Sequence, residues 1–165
     1  MFNICGRDAK IANMLHNFII AGRPLRLWQN NGESYEHVLM KALGFAMFIG
    51  QYPSLQVEVK VGLRYKPDLV SRAADGSFDF WGECGINSIR KTNWILKHAG
   101  ARSLVLFKIG QNSEQLVHQL RAAIPGKYRS GDRLRLVNFR SEIRDLTATK
   151  QIATVSDDCF ESVVI

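Results

Sequence analysis

Two acidic side chains, Asp68 and Glu83, stand in the two arms of a predicted hairpin and are the residues best suited to chemistry. The stretch 66–85, KPDLVSRAADGSFDFWGECG, has two strand-like runs around Asp75-Gly76, and Asp-Gly favours a two-residue type I′ turn. In that register Asp68 lies opposite Glu83, so both side chains point to one side of the sheet, about 4.5–5.5 Å apart at Cβ.

Two like charges at such a position destabilise a sheet, so the pair predicts a compensating group. A shared proton, a neighbouring Lys or Arg, or a divalent cation would each compensate, and carboxylate oxygens are the ligands that hard cations prefer. The alternative is a longer turn with a slipped register, in which both carboxylates are ordinary surface groups. The two-residue turn also predicts an ion pair between Arg72 and Asp79. It places Leu69, Phe78 and Phe80 together on the core-facing side.

Residues around the pair are compatible with a functional site. Pro67 lacks an N–H, so Asp68 is expected where the strand leaves regular pairing. Gly82 and Gly85 on either side of Glu83 allow a ligand or another backbone to come close, and a packing role is the equal alternative. Arg90 and Lys91 fall in the first turn of the next predicted helix, where both could lean back over the carboxylates.

A third carboxylate, Glu36, belongs to an earlier predicted helix. It shares a helix face with Met40, Leu43 and Met47, so it points towards the apolar side. We expect a carboxylate there to be paired. The alternative is a first-turn Glu that the helix dipole stabilises.

The pattern of the chain predicts a mixed α/β fold that positions these residues. The central order is a helix at about 34–48, a three-strand meander made of LQVEVKVGL and the two hairpin arms, a helix in NSIRKTNWILKHAG and a strand at SLVLFKI. FNIC and an antiparallel pair in NFIIAGRPLRLWQ precede this core. A helix in SEQLVHQLRAAIPG, a strand at RLRLVNF, a helix-like SEIRDLTATK and a final strand pair, QIATVS with CFESVVI, follow it. The histidines have no metal-ligand spacing; His37, His98 and His118 are predicted on helices and His16 in a loop, all structural or exposed.

Length and composition predict one domain over residues 1–165 in a reducing compartment. The 165 residues are enough to bury about two thirds of the unfolded surface in one core. Three widely spaced cysteines favour neither a disulfide framework nor a zinc site, and no apolar stretch or leader pattern indicates a membrane or export, so we expect a cytoplasmic protein. The net charge of +7 favours binding of a polyanion such as nucleic acid.

Taken together, these motifs resemble the PD-(D/E)xK nuclease superfamily, which has the restriction-endonuclease-like fold, and within it the YaeQ-type family. ESYEHVLMKALGFAM is similar to the acidic helix of that family, KPDLV to its Pro-Asp strand, and FDFWGECG to its strand ending in Trp-x-Glu-x-Gly. NFIIAG to LRLW is similar to its early strand pair, and the resemblance spans roughly residues 14–110. It implies a restriction-endonuclease-like core with an extra N-terminal strand pair and C-terminal strands.

The resemblance also implies roles for individual residues. Asp68 and Glu83 would bind Mg²⁺ or Mn²⁺, the carbonyl of Cys84 could be a third ligand, and Glu36 would bind or orient through water. Gly85 stands where the superfamily has its lysine, so a strict ExK motif is missing. In YaeQ-type proteins a basic residue of the following helix can occupy that space. This implies Lys91 as the catalytic lysine, with Arg90 as the other candidate.

The implied activity is metal-dependent hydrolysis of phosphodiester bonds in DNA or RNA. Lys66 and Arg90, which flank the acidic pair, are the predicted contacts with the nucleic-acid backbone. One alternative is an inactive relative that binds nucleic acid without cutting. Another is a regulatory protein that acts through a protein partner.

Overall fold

The computed structural model describes residues 13–165 as a mixed α/β structure with two mixed sheets and five α-helices. The predicted FNIC strand lies outside the described residues. The strands are β1 (Met14–Ile20), β2 (Arg23–Gln29), β3 (Gln56–Val57), β4 (Leu69–Arg72), β5 (Phe78–Cys84), β6 (Leu104–Ile109), β7 (Leu134–Phe139), β8 (Gln151–Ile152) and β9 (Phe160–Val164). The helices are α1 (Tyr35–Phe48), α2 (Ile89–His98), α3 (Ser113–Ala123), α4 (Gly126–Arg129) and α5 (Ile143–Leu146).

The larger sheet confirms the predicted central order of helix, meander, helix and strand. Its six strands run β3-β4-β5-β6-β7-β9. The first three form the antiparallel meander, and β6 joins β5 in parallel after the crossover through α2. Helix α1 covers one face through side chains such as Leu39 and Leu43, and α2 and α3 cover the other through Ile95 and Leu120. The sheet is therefore buried on both sides, as its near-continuous apolar strands predict.

Helix α1 lies very close to the sheet. The Ser34 hydroxyl caps it by accepting a hydrogen bond from the His37 N–H. A Cβ atom on Gly44 would meet Leu69 Cδ1 at 2.6 Å, so this glycine permits the close approach of α1 to β4. The N-terminal end of α1 is thereby held beside the ends of the hairpin strands.

The hairpin tip differs from the predicted two-residue turn. The N–H of Gly76 bonds the carbonyl of Ala73 and the N–H of Ala73 bonds that of Ser77, with Gly76 in the left-handed region at φ 83°. This is a three-residue loop ending in a left-handed glycine, another common hairpin connection. It would shift the register by one residue, but an irregularity between Ser71 and Arg72 shifts it back. Val70 and Trp81 therefore pair as predicted.

The compensating shift changes the residues next to the tip. Arg72 pairs with Phe78 and lies 4.6 Å from its ring centre, while Asp79 accepts a hydrogen bond from Arg102. The predicted Arg72–Asp79 ion pair is therefore wrong. Phe78 also turns to the face of Trp81, away from Phe80, because the irregularity inverts the alternation of side chains there.

Three further predictions about elements are corrected. The strand expected at LQVEVKVGL has only two residues, because Glu58 at φ 55° turns the chain out of the sheet. QIATVS and CFESVVI do not pair: β8 joins β1 in the smaller sheet, of order β2-β1-β8, while β9 pairs with β7. The helix expected in SEIRDLTATK is one turn, α5.

His16 lies in strand β1, not in a loop. The residue is buried at 4% exposure, and its ring contacts Gln29 Oε1 at 2.8 Å and Lys150 Nζ at 3.0 Å. Within residues 13–165, no helix combines the length and the apolar character that crossing a membrane requires.

Candidate acidic site and the adjoining cleft

Asp68 lies immediately before β4, where regular pairing with β5 gives way to side-chain contacts. Its N–H bonds the carbonyl of Gly82 at 3.1 Å, and its Oδ2 accepts the N–H of Cys84 at 2.8 Å. Its Oδ1 lies 3.1 Å from His37 Nε2, and because an ionised carboxylate only accepts, that nitrogen carries the proton. Burial raises the pKa of Asp68, but the bonds from His37 and the Cys84 N–H outweigh it, and the net shift of the pKa is downward.

Glu83 is the more deeply buried member of the pair, at 1% exposure. Its Oε1 accepts the indole N–H of Trp81 at 2.8 Å, and its Oε2 accepts a hydrogen bond from Lys91 Nζ. Burial first, and the charge of Asp68 second, raise the pKa of Glu83, while Lys91 and Trp81 offset part of the effect. Glu83 is therefore the member of the pair that is harder to ionise.

The two carboxylates lie at the same end of neighbouring strands but take their partners from opposite layers. Glu83 bonds Lys91 from α2, whereas Asp68 bonds His37 from α1. Among the described residues, the lysine Lys91 compensates Glu83, and the imidazole of His37 compensates Asp68. The slipped register is excluded, because β4 and β5 pair as predicted up to Leu69 and Gly82.

The backbone at Gly85 disfavours the lysine that the sequence resemblance would lead one to expect at this position. Its φ is 75°, a left-handed conformation that side chains with a Cβ disfavour. A Cβ atom there would also lie 3.1 Å from His37 Nδ1. A lysine at this position is therefore strained, and Lys91 places its ammonium on Glu83 from the first turn of α2. Arg90 on the same turn is exposed.

The remaining predicted site residues lie around this pair without joining it. Glu36 accepts a hydrogen bond from Arg144 Nε at 2.5 Å, and its side chain is 44% exposed. Lys66 is 46% exposed and lies 3.9 Å from Glu58. The side chain of Cys84 is buried, and burial raises the pKa of its thiol well above its ordinary value. Any contribution of Cys84 to a ligand set would therefore come from its main chain.

Sequence reasoning missed three polar side chains near the pair. His37, expected to be structural or exposed, bonds Asp68 and lies 3.6 Å from Glu33. Lys41 is completely buried between Glu33 and Glu58, with its Nζ 2.9 Å from Glu58 Oε1. Lys108, at the end of β6, donates to the carbonyl oxygen of Gly85. A charged residue inside an otherwise apolar helix face or strand is the sequence signal that Lys41 and Lys108 provide.

A cleft of about 670 Å³ lies beside the acidic pair; His37, which contacts Asp68, lines it, whereas Asp68 and Glu83 themselves do not. It is lined by residues that precede or begin three helices, among them Glu33 and His37 at α1, Asn87 at α2 and Gln111 at α3. Lys108 also lies in its wall. Its volume is that of a site for a small molecule or for one unit of a polymer.

The donor set fits a hard divalent cation in kind but is small. Within residues 13–165 no group of three or more His, Cys, Asp or Glu side chains is placed to hold a metal ion. Mg²⁺, however, is commonly bound by one or two carboxylates, with waters and substrate phosphates completing the shell. Asp68 and Glu83 offer such a pair; burial first, and the charge of Asp68 second, raise the pKa of Glu83, and a cation would relieve the second of these effects.

In its fold, this chain is similar to proteins of the YaeQ type. It is similar to the YaeQ protein from Xanthomonas axonopodis pv. citri, with a TM-score of 0.60 and 16% identity over 93% of this chain and 96% of the other. It is also similar to the YaeQ protein from Pseudomonas syringae, with a TM-score of 0.56 and 12% identity over 85% of this chain and 81% of the other. At these identities the likeness is one of fold. No protein-family model and no curated protein matches the sequence.

Proposed function

We propose that this protein is a divalent-metal-dependent phosphodiesterase of the PD-(D/E)xK type, with a restriction-endonuclease-like core, that acts on DNA or RNA. One observation supports the proposal: Asp68, just before β4, and Glu83, near the end of β5, lie at the same end of two paired strands, and a lysine of the next helix, Lys91, bonds the buried carboxylate. Two acids and a lysine at one point are the groups that hydrolysis of a phosphodiester requires.

Each residue has a role in this proposal. Asp68, Glu83 and the carbonyl of Cys84 would hold Mg²⁺ or Mn²⁺, which when bound polarises a phosphate and lowers the pKa of a water. Lys91 holds the attacking water and stabilises the negative charge that develops beside Glu83. His37 fixes the orientation of Asp68 through its Nε2–H. Glu36, in the adjoining cleft, orients the substrate side of the site.

Nucleic acid would be held by contacts with its phosphates. The net charge of +7 favours polyanions, and Arg90 and Lys66 expose cationic groups on either side of the pair. Contacts of this kind position a strand without reading its sequence. A nuclease built in this way would therefore have little sequence preference.

A nicking assay with Mn²⁺ on supercoiled DNA and on RNA tests the proposal. We expect the wild-type protein to cut at least one substrate and Asp68→Asn to be inactive. Lys91→Met should lose about 10²- to 10³-fold in rate, the range typical of removing one donor that stabilises developing negative charge. Asp157→Asn, which changes an exposed carboxylate outside the site, is the matched control and should cut normally. Equal cutting by Asp68→Asn and wild type, or no cutting of either substrate, contradicts the proposal.

A second candidate is a protein that binds nucleic acid without cutting it. The observation in its favour is that the carboxylate oxygens of Asp68 and Glu83 each have a hydrogen-bond donor from the protein itself. Such a protein would shift an oligonucleotide in a gel with a steep dependence on salt. A regulatory protein with a protein partner would show no such shift.

A further inference from the structure

Lys108 is a half-buried cation of the cleft without a carboxylate partner among residues 13–165. It stands at the end of β6, and its Nζ donates to the main-chain oxygen of Gly85. Burial lowers the pKa of Lys108 because the ammonium group loses its water. A carbonyl dipole compensates a charge only in part, so this ammonium retains a need for an anion.

Asn87 supplies a second unsatisfied donor in the same cleft. Its Nδ2 is buried and has no hydrogen-bond partner in the described part of the chain. A buried amide donor without an acceptor destabilises the fold, so native proteins satisfy nearly all such groups. An acceptor group in the cleft would satisfy this donor.

The start of α2 adds positive potential at this end of the cleft. Helix α2 begins after Ser88, one residue beyond Asn87, and its first turn contains no acidic residue. That turn carries Arg90 and Lys91 instead, where the helix dipole already favours a negative group. Three sources of positive potential, Lys108, the dipole of α2 and Arg90, therefore lie near the Asn87 amide.

The acidic groups of the cleft are already committed to other partners. Glu33 pairs with Lys41 and His37 at the start of α1, and Glu36 bonds Arg144. The unpaired charge of the cleft is therefore cationic, at the wall formed by 85–87 and Lys108.

We propose that this wall of the cleft is a phosphate-binding site, in which Lys108 and the Asn87 amide bind one phosphate group at the start of α2. The choice of a nucleic-acid strand as the source of that phosphate rests on the proposed function. Because Gly85 links this wall to Glu83, the bound phosphate would be one that neighbours the bond being cut. Lys108 and Asn87 then set the position of the strand and do not take part in the chemistry.

The experiment follows the Asn87 side-chain amide by ¹H–¹⁵N NMR while inorganic phosphate is added to the full-length protein in EDTA, with chloride at equal ionic strength as the reference. We expect the Asn87 amide signal, identified by its loss in Asn87→Asp, to shift with phosphate and not with chloride. In a parallel anisotropy titration with a short single-stranded oligonucleotide, Lys108→Met should weaken binding by about tenfold or more, the loss of one charge-assisted hydrogen bond. Lys60→Met, which removes an exposed lysine elsewhere, is the matched control and should bind within about twofold of wild type.

The outcomes separate this inference from the nuclease proposal. The absence of a phosphate-specific shift of the Asn87 signal overturns the site, whether or not the protein cuts. A shift with phosphate and weakened binding in both variants support it, even if no substrate is cleaved. A shift with phosphate but unchanged oligonucleotide binding overturns the strand as the source of the phosphate. Thermal unfolding of each variant tests whether the variant is folded. If Lys108→Met is not folded, Asn87→Asp alone is used in the binding test.

Discussion

Replacing Lys41 by methionine is expected to destabilise the protein by about 2–3 kcal/mol, although methionine is the better residue for an apolar core. The ammonium group is fully buried and is bound by Glu33 and Glu58. Removing one partner of a fully buried ion pair costs about 3–5 kcal/mol, because the other charge is left uncompensated. Here the side chains of Glu33 and Glu58 keep 12% and 23% of their exposure, so water relieves part of that cost.

The measurement is urea unfolding of wild type and Lys41→Met, read by circular dichroism. The midpoint should fall without a change in slope, and Tm should fall by about 4–12 °C at the 2–4 °C per kcal/mol usual for chains of this size.

The effect of Lys41 on stability also depends on pH. Burial lowers the pKa of Lys41, but its bonds to Glu33 and Glu58 outweigh this and raise it above its ordinary value. The wild type should therefore lose this stabilisation as the pH rises through that raised pKa, and the variant has none to lose.

A triple variant, Lys41→Met with Glu33→Gln and Glu58→Gln, is the control, because it removes the stranded charges together with the ammonium. It should recover most of the lost stability, since replacing a buried charged network by uncharged residues often leaves the free energy of unfolding unchanged. If Lys41→Met alone unfolds within about 0.5 kcal/mol of wild type, the reasoning fails, since that is the range of an ordinary surface change.

Two further predictions concern the acidic site. Gly85→Ala is compared with Gly22→Ala, a control outside the site at φ 78° where a Cβ would have no atom within 4 Å. Gly22→Ala should lower the free energy of unfolding in urea by about 1–2 kcal/mol. Gly85→Ala should lower it more because its Cβ meets His37, and equal losses would contradict this. The pKa of Glu83 is raised by its burial and by Asp68, so its contribution to stability is present at low pH and is lost as the pH rises through that pKa. We expect the free energy of unfolding, measured at a series of pH values, to fall less steeply with pH for Glu83→Gln than for wild type over that window. Identical slopes would show that the Glu83 pKa is not raised.

Local patterns were enough to predict the elements that position the site. The order of α1, the meander, α2 and β6 follows from capping residues and from apolar periodicity, both of which act over a few residues. Strand β3 was predicted too long, because tertiary contacts interrupt the strand that the alternation of LQVEVKVGL favours. Glu58, in its middle, turns to meet Lys41, which is distant in the sequence.

The acidic pair was predictable and its surroundings were not. Asp68 and Glu83 belong to one hairpin, so the distance between their strands follows from local geometry. His37 reaches Asp68 from another layer, and Lys108 reaches Gly85 across neighbouring strands, contacts that no spacing in the sequence encodes. The roles in metal binding and catalysis stay predictions, to be decided by the assays above.

The three-residue loop and the irregularity beside it have a consequence for how this hairpin can vary. A two-residue turn without the irregularity and the observed loop with it lead to the same pairing at Val70 and Trp81. The length of the tip is thus decoupled from the alignment of the strand ends that carry Asp68 and Glu83. The exposed tip at Ala74 and Asp75 is accordingly a place where a tag or a whole domain can be inserted while the acidic pair stays in register.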